Sequence, residues 1–365
     1  MKCKGCGIQI QTENPKLPGY IDEKVLNNRL SQNKDILCKN CFRTKHYGEF
    51  KKSTEDIHTI NYISNIIKDF NNVIFLIDLS DFFGTFDKRI FNLLKNKKVI
   101  YVINKVDLFP VELSSEEIKS WAAYQLRTDK KNIYLISAKK NRGMDRVERA
   151  INKIKGKKVG VVGVTSVGKS FFINDLLEKK SVTTSKFPGT TMEPITLQTK
   201  NGIKIIDTPG IYTKNRLSDI MDDKSKGKLL PDKKIERTTI KCHRDMSVFI
   251  SGFVKINFES PYKRIPVLHI FTPENVSVHV TNSISAEEKW ESWIPKILFP
   301  PYKEEKMDKY TYNESDYFLK AGEELHIAGL GIINMAYGEL NFSLKLPDNV
   351  LVKKTRSLFN KDKFK

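Results

Sequence analysis

The stretch GVTSVGKS at residues 163–170 has the residue types and the spacing of a phosphate-binding loop. Gly163 and Gly168 allow the backbone to wrap around phosphates and to direct N–H groups at their oxygens. Lys169 would neutralise the β- and γ-phosphates, and the Ser170 hydroxyl is a ligand for Mg²⁺. The remaining loop residues complete the predicted nucleotide site: Val164, Thr165, Ser166 and Val167.

The stretch NKVD, residues 104–107, predicts that the bound base is guanine. An ionised Asp107 can accept two hydrogen bonds, from guanine N1–H and from the exocyclic amine, whereas adenine offers no matching pair. A site built around such an acceptor rejects the wrong base by roughly 10⁴-fold or more. We expect Lys105 to lie along the ring and Asn104 to tie this loop to the phosphate loop.

Two further stretches extend the predicted nucleotide site. SAK, which comprises Ser137, Ala138 and Lys139, would support the base from its other side, although alone it is a fair candidate for coincidence. In DTPG, Asp207 is placed to hold Mg²⁺ through water, and the Gly210 N–H is placed to sense the γ-phosphate. FPGTT supplies Thr191 as the switch threonine that closes over Mg²⁺ when the triphosphate is bound.

The order of these stretches is unusual. Ordinary GTPases present the phosphate loop, the switch threonine, DxxG, NKxD and SAK in that order, whereas here NKxD and SAK come first. In a doubly wound sheet every site loop lies at the carboxyl ends of the strands, whatever order the chain visits them. Domain termini are often close enough to be joined and reopened elsewhere. We therefore predict an α/β, circularly permuted P-loop GTPase domain that binds GTP or GDP.

The chain divides into four predicted regions: a small lobe at residues 1–50, the GTPase domain at 55–215, a basic connector at 216–240 and a β-rich domain at 241–365. In the GTPase region short apolar runs alternate with longer amphipathic stretches, as expected for β-α units on a parallel sheet. These runs are NVIFLIDL, KVIYVIN, NIYLISA, KVGVVG, PITLQT and IKIIDT. Beyond 240, apolar alternation and β-branched residues favour antiparallel strands. We expect the tail LVKKTRSLFNKDKFK to be frayed.

The connector carries positive charge that could contact RNA phosphates, at Lys224, Lys226, Lys228, Lys233, Lys234 and Arg237. The alternative is a solvated linker whose charges keep it extended.

Four of the five cysteines form two C-x-x-C pairs, Cys3 with Cys6 and Cys38 with Cys41. Two such pairs let four thiolates converge tetrahedrally on one Zn²⁺, and a Cys₄ site leaves no open position for water. A redox pair is the competing interpretation. We predict a structural zinc site within the first lobe.

The formal net charge of +20 points to a polyanionic partner, either nucleic acid or an anionic membrane surface. Lysine enrichment in an AT-rich genome is the alternative explanation. No apolar run approaches the roughly 20 residues that span a bilayer. The N-terminal MKCKGCG lacks the apolar segment of a signal peptide. We expect a cytoplasmic protein with no membrane span.

The sequence resembles the YqeH-like circularly permuted GTPases, which take part in ribosome assembly. The resemblance rests on CKNCFRTKHYGEF, DLSDFFGTF, NKVDLFP, GVTSVGKS, FPGTTME and DTPGI, and beyond residue 215 on GLGIIN alone. It implies binding to the small ribosomal subunit or its precursor, through rRNA, and a β-rich C-terminal domain similar to TRAP.

Two positions depart from related enzymes. Ile211 follows DTPG where Ras-like enzymes have the glutamine that orients water, so we expect slow intrinsic hydrolysis. Many relatives place at Ser166 an asparagine that helps to bind a potassium ion. Serine is shorter and does not obviously reach the same ion, so potassium dependence is left open.

These observations predict a GTP-hydrolysing switch that acts in assembly of the small ribosomal subunit. The alternative is a basic nucleic-acid-binding scaffold outside the ribosome, in which GTP is mainly structural. A metabolic kinase is disfavoured because NKVD reads guanine and no acceptor pocket is evident.

Overall fold

The computed structural model describes residues 1, 10–13, 20–32, 36–39, 56–110, 113–154, 158–177, 195–199, 201–231, 234–258, 265–302 and 305–359. These residues form two compact units, each built from several segments of the chain. The first unit comprises Met1–Asp78, Thr85–Lys105 and Lys131–Tyr212. The second comprises Leu79–Gly84, Val106–Lys130 and Thr213–Lys365. Two segments of the region predicted as the GTPase domain therefore belong to the second unit.

A six-stranded sheet, in the order β3-β2-β1-β4-β6-β5, forms the centre of the first unit. Its strands are β1 (Asn72–Asp78), β2 (Lys98–Asn104), β3 (Ile133–Leu135), β4 (Lys158–Gly163), β5 (Ile195–Gln198) and β6 (Lys204–Asp207). The central strand β1 is apolar from Val73 to Ile77, and all of these side chains are fully buried. Continuous apolar runs are typical of strands that are covered on both faces of a parallel sheet.

One strand of this sheet differs from the prediction of a parallel arrangement. β5 pairs with β6 in antiparallel register, while the other neighbouring strands are parallel. The reason is the connection, because the chain returns from β5 to β6 through a tight turn with Gly202 at a positive φ of 75°. A connection this short can join only antiparallel strands, since a parallel pair needs a crossover of a dozen or more residues.

The helices are short. In chain order they are α1 (Glu23–Ser31), α2 (Asp56–Ile67), α3 (Phe82–Thr85), α4 (Lys88–Leu93), α5 (Ser115–Leu126), α6 (Met144–Asn152), α7 (Lys169–Leu176), α8 (Leu217–Ile220), α9 (Asp223–Leu229) and α10 (Ala286–Trp293). The clearest start is that of α5, where Ser114 and Glu117 form a reciprocal capping box. Among the described residues, no helix has the length and apolar character needed to cross a bilayer.

The second unit contains two five-stranded antiparallel sheets, ordered β16-β13-β14-β10-β7 and β11-β8-β9-β15-β12. The strands are β7 (Ile235–Lys241), β8 (Met246–Ile250), β9 (Val254–Phe258), β10 (Val267–Pro273), β11 (Val278–Asn282), β12 (Tyr312–Lys320), β13 (Glu323–Ile327), β14 (Gly331–Tyr337), β15 (Glu339–Pro347) and β16 (Val352–Arg356). Both sheets contribute to one hydrophobic core, with Ile270 and Ile333 from the first and Phe342 and Leu344 from the second. Antiparallel strands thus occupy the region where the alternation favoured them.

The region predicted as a connector is folded into the second unit. It forms α8, α9 and β7, and Leu217, Met221 and Leu229 lie in the core between the sheets. Lys226 is only 2% exposed, so its ammonium is not on a surface that could meet RNA. Lys234 and Arg237 are exposed. The interpretation of this region as a solvated linker is therefore wrong for its described residues.

The prediction of a frayed tail is wrong for residues 351–359. β16 pairs with β13 from Val352 to Arg356, and Leu358 is buried. The Phe359 ring stacks on Phe271, with centroids 4.1 Å apart. The packing of Leu358 and Phe359 therefore anchors this segment, although its basic residues predicted a solvated tail.

Helix α5 covers part of the sheet that contains β13 and β16. The Trp121 indole N–H donates to the Arg356 carbonyl at 3.0 Å, and the Gln125 amide donates to the Thr355 hydroxyl at 2.8 Å. The Trp121 ring lies near the His326 ring, with centroids 5.9 Å apart. The helix that follows NKVD is thus a structural part of the second unit.

Candidate nucleotide site

The strand register brings the predicted site loops to one edge of the first sheet. β1 and β2 end together at the pair Asp78 and Asn104, and Val161 of β4 is paired with Asp207. Since the carboxyl ends of parallel strands lie on the same edge, the loops after β1, β2, β3, β4 and β6 converge there. Starting from β4, these loops follow the order of an ordinary GTPase, so the domain is circularly permuted.

The phosphate loop joins β4 to α7. Its last glycine, Gly168, has a backbone conformation that is unfavourable for residues with a Cβ atom. Gly168 precedes α7 with φ 92°. A Cβ atom built on Gly168 would lie 2.4 Å from the Asn104 side-chain nitrogen. Glycine is therefore required here both by its backbone angle and by the close approach of the NKVD loop.

Lys169, the first residue of α7, turns its side chain back into the loop. It is 8% exposed, and its Nζ donates to the carbonyls of Gly163 and Val164 at 3.1 Å each. Ser170 follows on the first turn of α7 and is partly buried. The N-terminus of this helix adds backbone N–H groups and a favourable dipole for an anion.

Asn104 links the three predicted binding loops through hydrogen bonds. Its side-chain nitrogen donates to the Val167 carbonyl at 2.8 Å, and its oxygen accepts from the Ala138 N–H at 3.0 Å. Asn104 is 3% exposed, so both bonds are shielded from water. The amide thus holds the NKVD, SAK and phosphate loops in one arrangement, in the role expected from the sequence.

The DTPG segment is hydrogen-bonded to the phosphate loop. The Thr165 N–H donates to the Ile211 carbonyl at 2.9 Å, and the Ile211 N–H donates to the Gly163 carbonyl at 3.3 Å. Asp207 is fully buried at the end of β6. A Cβ atom built on Gly210 would lie 2.9 Å from Lys169 Nζ, so this glycine lies directly beside the loop lysine.

The site residues fit a guanine nucleotide with Mg²⁺. Two serine hydroxyls, Ser137 and Ser166, are buried and meet no hydrogen-bond partner among the described residues. Buried polar atoms are normally paired, so these two hydroxyls fit contacts to a ligand. Ser170 and Asp207 would hold Mg²⁺, which when bound neutralises charge on the β- and γ-phosphates. The third predicted magnesium ligand, Thr191, lies outside the described residues.

Lys105 has a partner that the sequence interpretation missed. Its Nζ lies 2.5 Å from the Asp78 carboxylate at the end of β1, and Lys105 itself has a positive φ of 61°. The Asp78 N–H in turn donates to the Thr85 hydroxyl at 3.0 Å. The position of Asp78 directly after an apolar strand, in DLSD, was the signal that could have identified it.

The remaining base-reading residues, Lys139 and Asp107, belong to different units. Lys139 is exposed in a short 3₁₀ turn after Ser137. Asp107 is half-buried and belongs to the segment Val106–Lys130 of the second unit. Its contact with guanine therefore stays a prediction.

Ile211 occupies the position at which Ras-like enzymes have the water-orienting glutamine, and its side chain has no polar group that could hold a water molecule. Ile211 is 0% exposed and pairs with Val164 as an isolated parallel bridge. Next along the chain, the Tyr212 carbonyl accepts from the Arg89 guanidinium at 3.2 Å. Arg89, which sequence reasoning did not single out, thus helps to fix the segment that leaves DTPG.

The predicted zinc site falls mostly beyond the described residues. Cys3, Cys6 and Cys41 lie outside them, whereas Cys38 is described and is 2% exposed. Among the described residues no cluster of metal-ligating side chains is present. The fifth cysteine, Cys242, is a core residue, and burial raises the pKa of its thiol to about 12.

Comparisons with known proteins support a GTPase. A family model described as "50S ribosome-binding GTPase" matches residues 158–250. The Bacillus subtilis protein YqeH is 29% identical over 368 residues, which cover 98% of each chain. NO-associated protein 1 of Arabidopsis thaliana is 24% identical over an alignment that covers 91% of this chain and 69% of that protein. GTPase Der of Halothermothrix orenii is 34% identical over 40% of this chain and 36% of its own length.

The similarity to YqeH extends over both units, and the match to the GTPase family model runs from β4 in the first unit to β8 in the second. Together with the permuted order of the site loops, they show that the chain is a circularly permuted GTPase that is similar to YqeH along nearly its whole length.

Proposed function

We propose that this GTPase is a switch in the assembly of the small ribosomal subunit. The observation that carries the proposal is the path of the chain after DTPG. Ile211 is hydrogen-bonded to the phosphate loop, and from Thr213 onward the same segment belongs to the second unit. A nucleotide can influence another domain only through an element that GTP and GDP bias differently, and this segment is covalently part of both units.

The chain's own residues account for nucleotide binding and for slow turnover. Lys169 and the loop N–H groups would bind the phosphates, Ser170, Asp207 and Thr191 would hold Mg²⁺, and Gly210 would sense the γ-phosphate. Ile211 is fully buried and offers no polar atom from its side chain to orient water. We therefore expect a slow intrinsic rate, which a ribosomal partner could raise by supplying the missing group.

The ribosomal partner is the finer part of the proposal. Support comes from the resemblance to ribosome-assembly GTPases and from the net charge of +20, which suits an rRNA surface. The description of the matching family model names the 50S ribosomal subunit, which is the large subunit. The resemblance to the YqeH-like GTPases implies the small subunit instead. The experiment must therefore separate the two subunits. A cytoplasmic location follows from the same proposal.

The test is sedimentation of cell extract through a sucrose gradient with either GDP or a non-hydrolysable GTP analogue. We expect the protein in fractions of the small subunit or its precursor with one nucleotide and much less with the other. Coupling of this kind is typically worth 1–3 kcal/mol, or about 5- to 150-fold in affinity. Recovery with the large subunit would overturn the choice of subunit. Absence from all ribosomal fractions would favour the non-ribosomal scaffold.

We further propose that Cys3, Cys6, Cys38 and Cys41 bind a structural zinc ion. In the Cys38→Ser/Cys41→Ser variant we expect loss of the metal and unfolding of the lobe up to about residue 50, because metal binding supplies most of the folding free energy of so small a lobe. Nucleotide binding should persist, since the phosphate-loop sheet has its own core. Metal analysis and protease sensitivity measure the two effects.

The matched control is Cys242→Ser, which changes the lone core cysteine and should leave the zinc content at one ion per chain. Parent protein purified without chelators and found free of zinc would contradict the proposal.

A further inference from the structure

The strand β16 lies at one edge of its sheet and carries a row of exposed cations. It pairs with β13 on one side only. Lys353, Lys354 and Arg356 are all exposed along its five residues. Positive charge on an edge strand discourages pairing with a further β-strand. A peptide strand added in register is therefore a poor match for this edge.

A cleft opens beside this strand. It has a volume of about 430 Å³ and is lined by Lys320, Gly322, Glu323 and Arg356. The one acid of the lining already has partners, because Glu323 accepts from the Lys354 ammonium at 2.9 Å and from the Lys320 N–H at 3.1 Å. The cleft is thus left with an excess of positive charge and with a volume within the usual range for small-molecule sites.

Two exposed aromatic rings lie beside these cations. The guanidinium carbon of Arg356 is 4.9 Å from the centroid of Tyr124, which is 55% exposed. Lys354 Nζ is 5.6 Å from the centroid of Phe318, which is 43% exposed. Exposed rings of this size carry a cost in water that a stacked partner would remove. Cations alternating with exposed rings form the pattern on which nucleobases stack while phosphates are neutralised.

We propose that this β16 surface, made of Lys320, Lys353, Lys354, Arg356, Tyr124 and Phe318, binds single-stranded RNA. The inference rests on the proposed ribosomal function and names the surface that would meet the RNA. Lysine and arginine contact the phosphates without regard to sequence, and Tyr124 and Phe318 stack on unpaired bases. In a duplex the base faces are stacked on one another. A duplex would therefore contact the lysine and arginine side chains but would not stack on Tyr124 or Phe318.

The experiment measures fluorescence anisotropy of a labelled single-stranded RNA of about 12 nucleotides, within the span that single-strand sites usually cover. The whole chain, purified without chelators, is used in the presence of GDP. One variant removes charge, Lys320→Gln/Arg356→Gln, and the second removes rings, Tyr124→Ser/Phe318→Ser. The matched control, Lys241→Gln/Lys296→Gln, removes two exposed lysines elsewhere on the same unit. Circular dichroism checks that each variant is folded.

We expect the charge variant to bind at least tenfold more weakly and to lower the slope of log K against log salt by about 1.4, for two phosphate contacts on a single strand. The ring variant should weaken single-strand binding at least fivefold, the lower bound for loss of one stacked base, and should leave duplex binding unchanged. The control should stay within twofold of the parent.

Equal losses in the charge variant and the control would overturn the proposal, since they would indicate binding by overall charge. Unchanged single-strand binding in the ring variant would also overturn it. If both β16 variants bind RNA as tightly as the parent and still sediment with the ribosomal subunit, this surface is ruled out and the proposed function stands. If the parent binds neither RNA nor a ribosomal fraction, the proposed function itself fails.

Discussion

We expect the Trp121→Ala substitution to lower the free energy of unfolding of the second unit by about 3–5 kcal/mol. Trp121 is fully buried on α5, and its ring centroid is 4.8 Å from that of Phe82 and 5.9 Å from that of His326. Truncation to alanine removes these contacts and leaves a cavity. It also removes the donor to the Arg356 carbonyl, whose bond is made at 3.0 Å.

Urea unfolding followed by tryptophan fluorescence measures this loss. The three tryptophans of the chain, Trp121, Trp290 and Trp293, belong to the second unit, so two of them still report on it in the variant. Tyr124→Ala, on the same helix but 55% exposed, is the matched control and should cost at most about 1 kcal/mol, the value of an exposed contact with the Arg356 guanidinium. A loss below about 1 kcal/mol for Trp121→Ala would contradict the role of α5 in this unit.

We expect the Asp107→Asn substitution to weaken GDP binding by about 2–4 kcal/mol. A charge-assisted pair of hydrogen bonds would be replaced by an amide that is mismatched to guanine. Xanthine carries an oxygen where guanine has its exocyclic amine, so XDP should regain affinity. Titration with fluorescent GDP and XDP measures the switch in preference.

Asn104→Ala separates base reading from loop positioning. Its two buried hydrogen bonds join the SAK and phosphate loops, so their loss should weaken GDP and XDP equally and leave the preference for guanine unchanged. If Asp107→Asn binds GDP as tightly as the parent, then Asp107 is not the residue that reads the base.

The positions of the site loops were predictable because each of their motifs is local. A short apolar run followed by GVTSVGKS, NKVD, SAK or DTPG specifies a strand and the loop at its end, and parallel strands bring those loops to one edge. The direction of β5 was not predictable from its apolar run. It depends on the short return to β6, which the composition of the strand does not reveal.

Other features depend on partners far away along the chain. Nothing near Trp121 indicates that its helix packs beside His326, because an amphipathic helix can cover either face of a sheet. The basic composition of the segment VKKTR predicts a solvated tail. The segment nevertheless forms β16, because it pairs with β13 and because the Phe359 ring after it stacks on Phe271. The pair of Lys105 and Asp78 likewise joins two strand ends, and neither stretch alone suggests it.

The assembly of the second unit from three separated segments has a consequence for its synthesis. Trp121 and the Arg356 carbonyl are 235 positions apart, and Asp81 binds the N–H of Gly329 across 248 positions. At about 5–20 residues per second, α5 emerges roughly 12–47 s before the strand it will cover. During that interval Trp121 and Phe83 lack the His326 ring that they contact in the folded unit, and the phosphate-loop sheet is completed only once β6 has been made. The last part to fold is therefore built partly from one of the first parts made, which makes its folding slow and non-local.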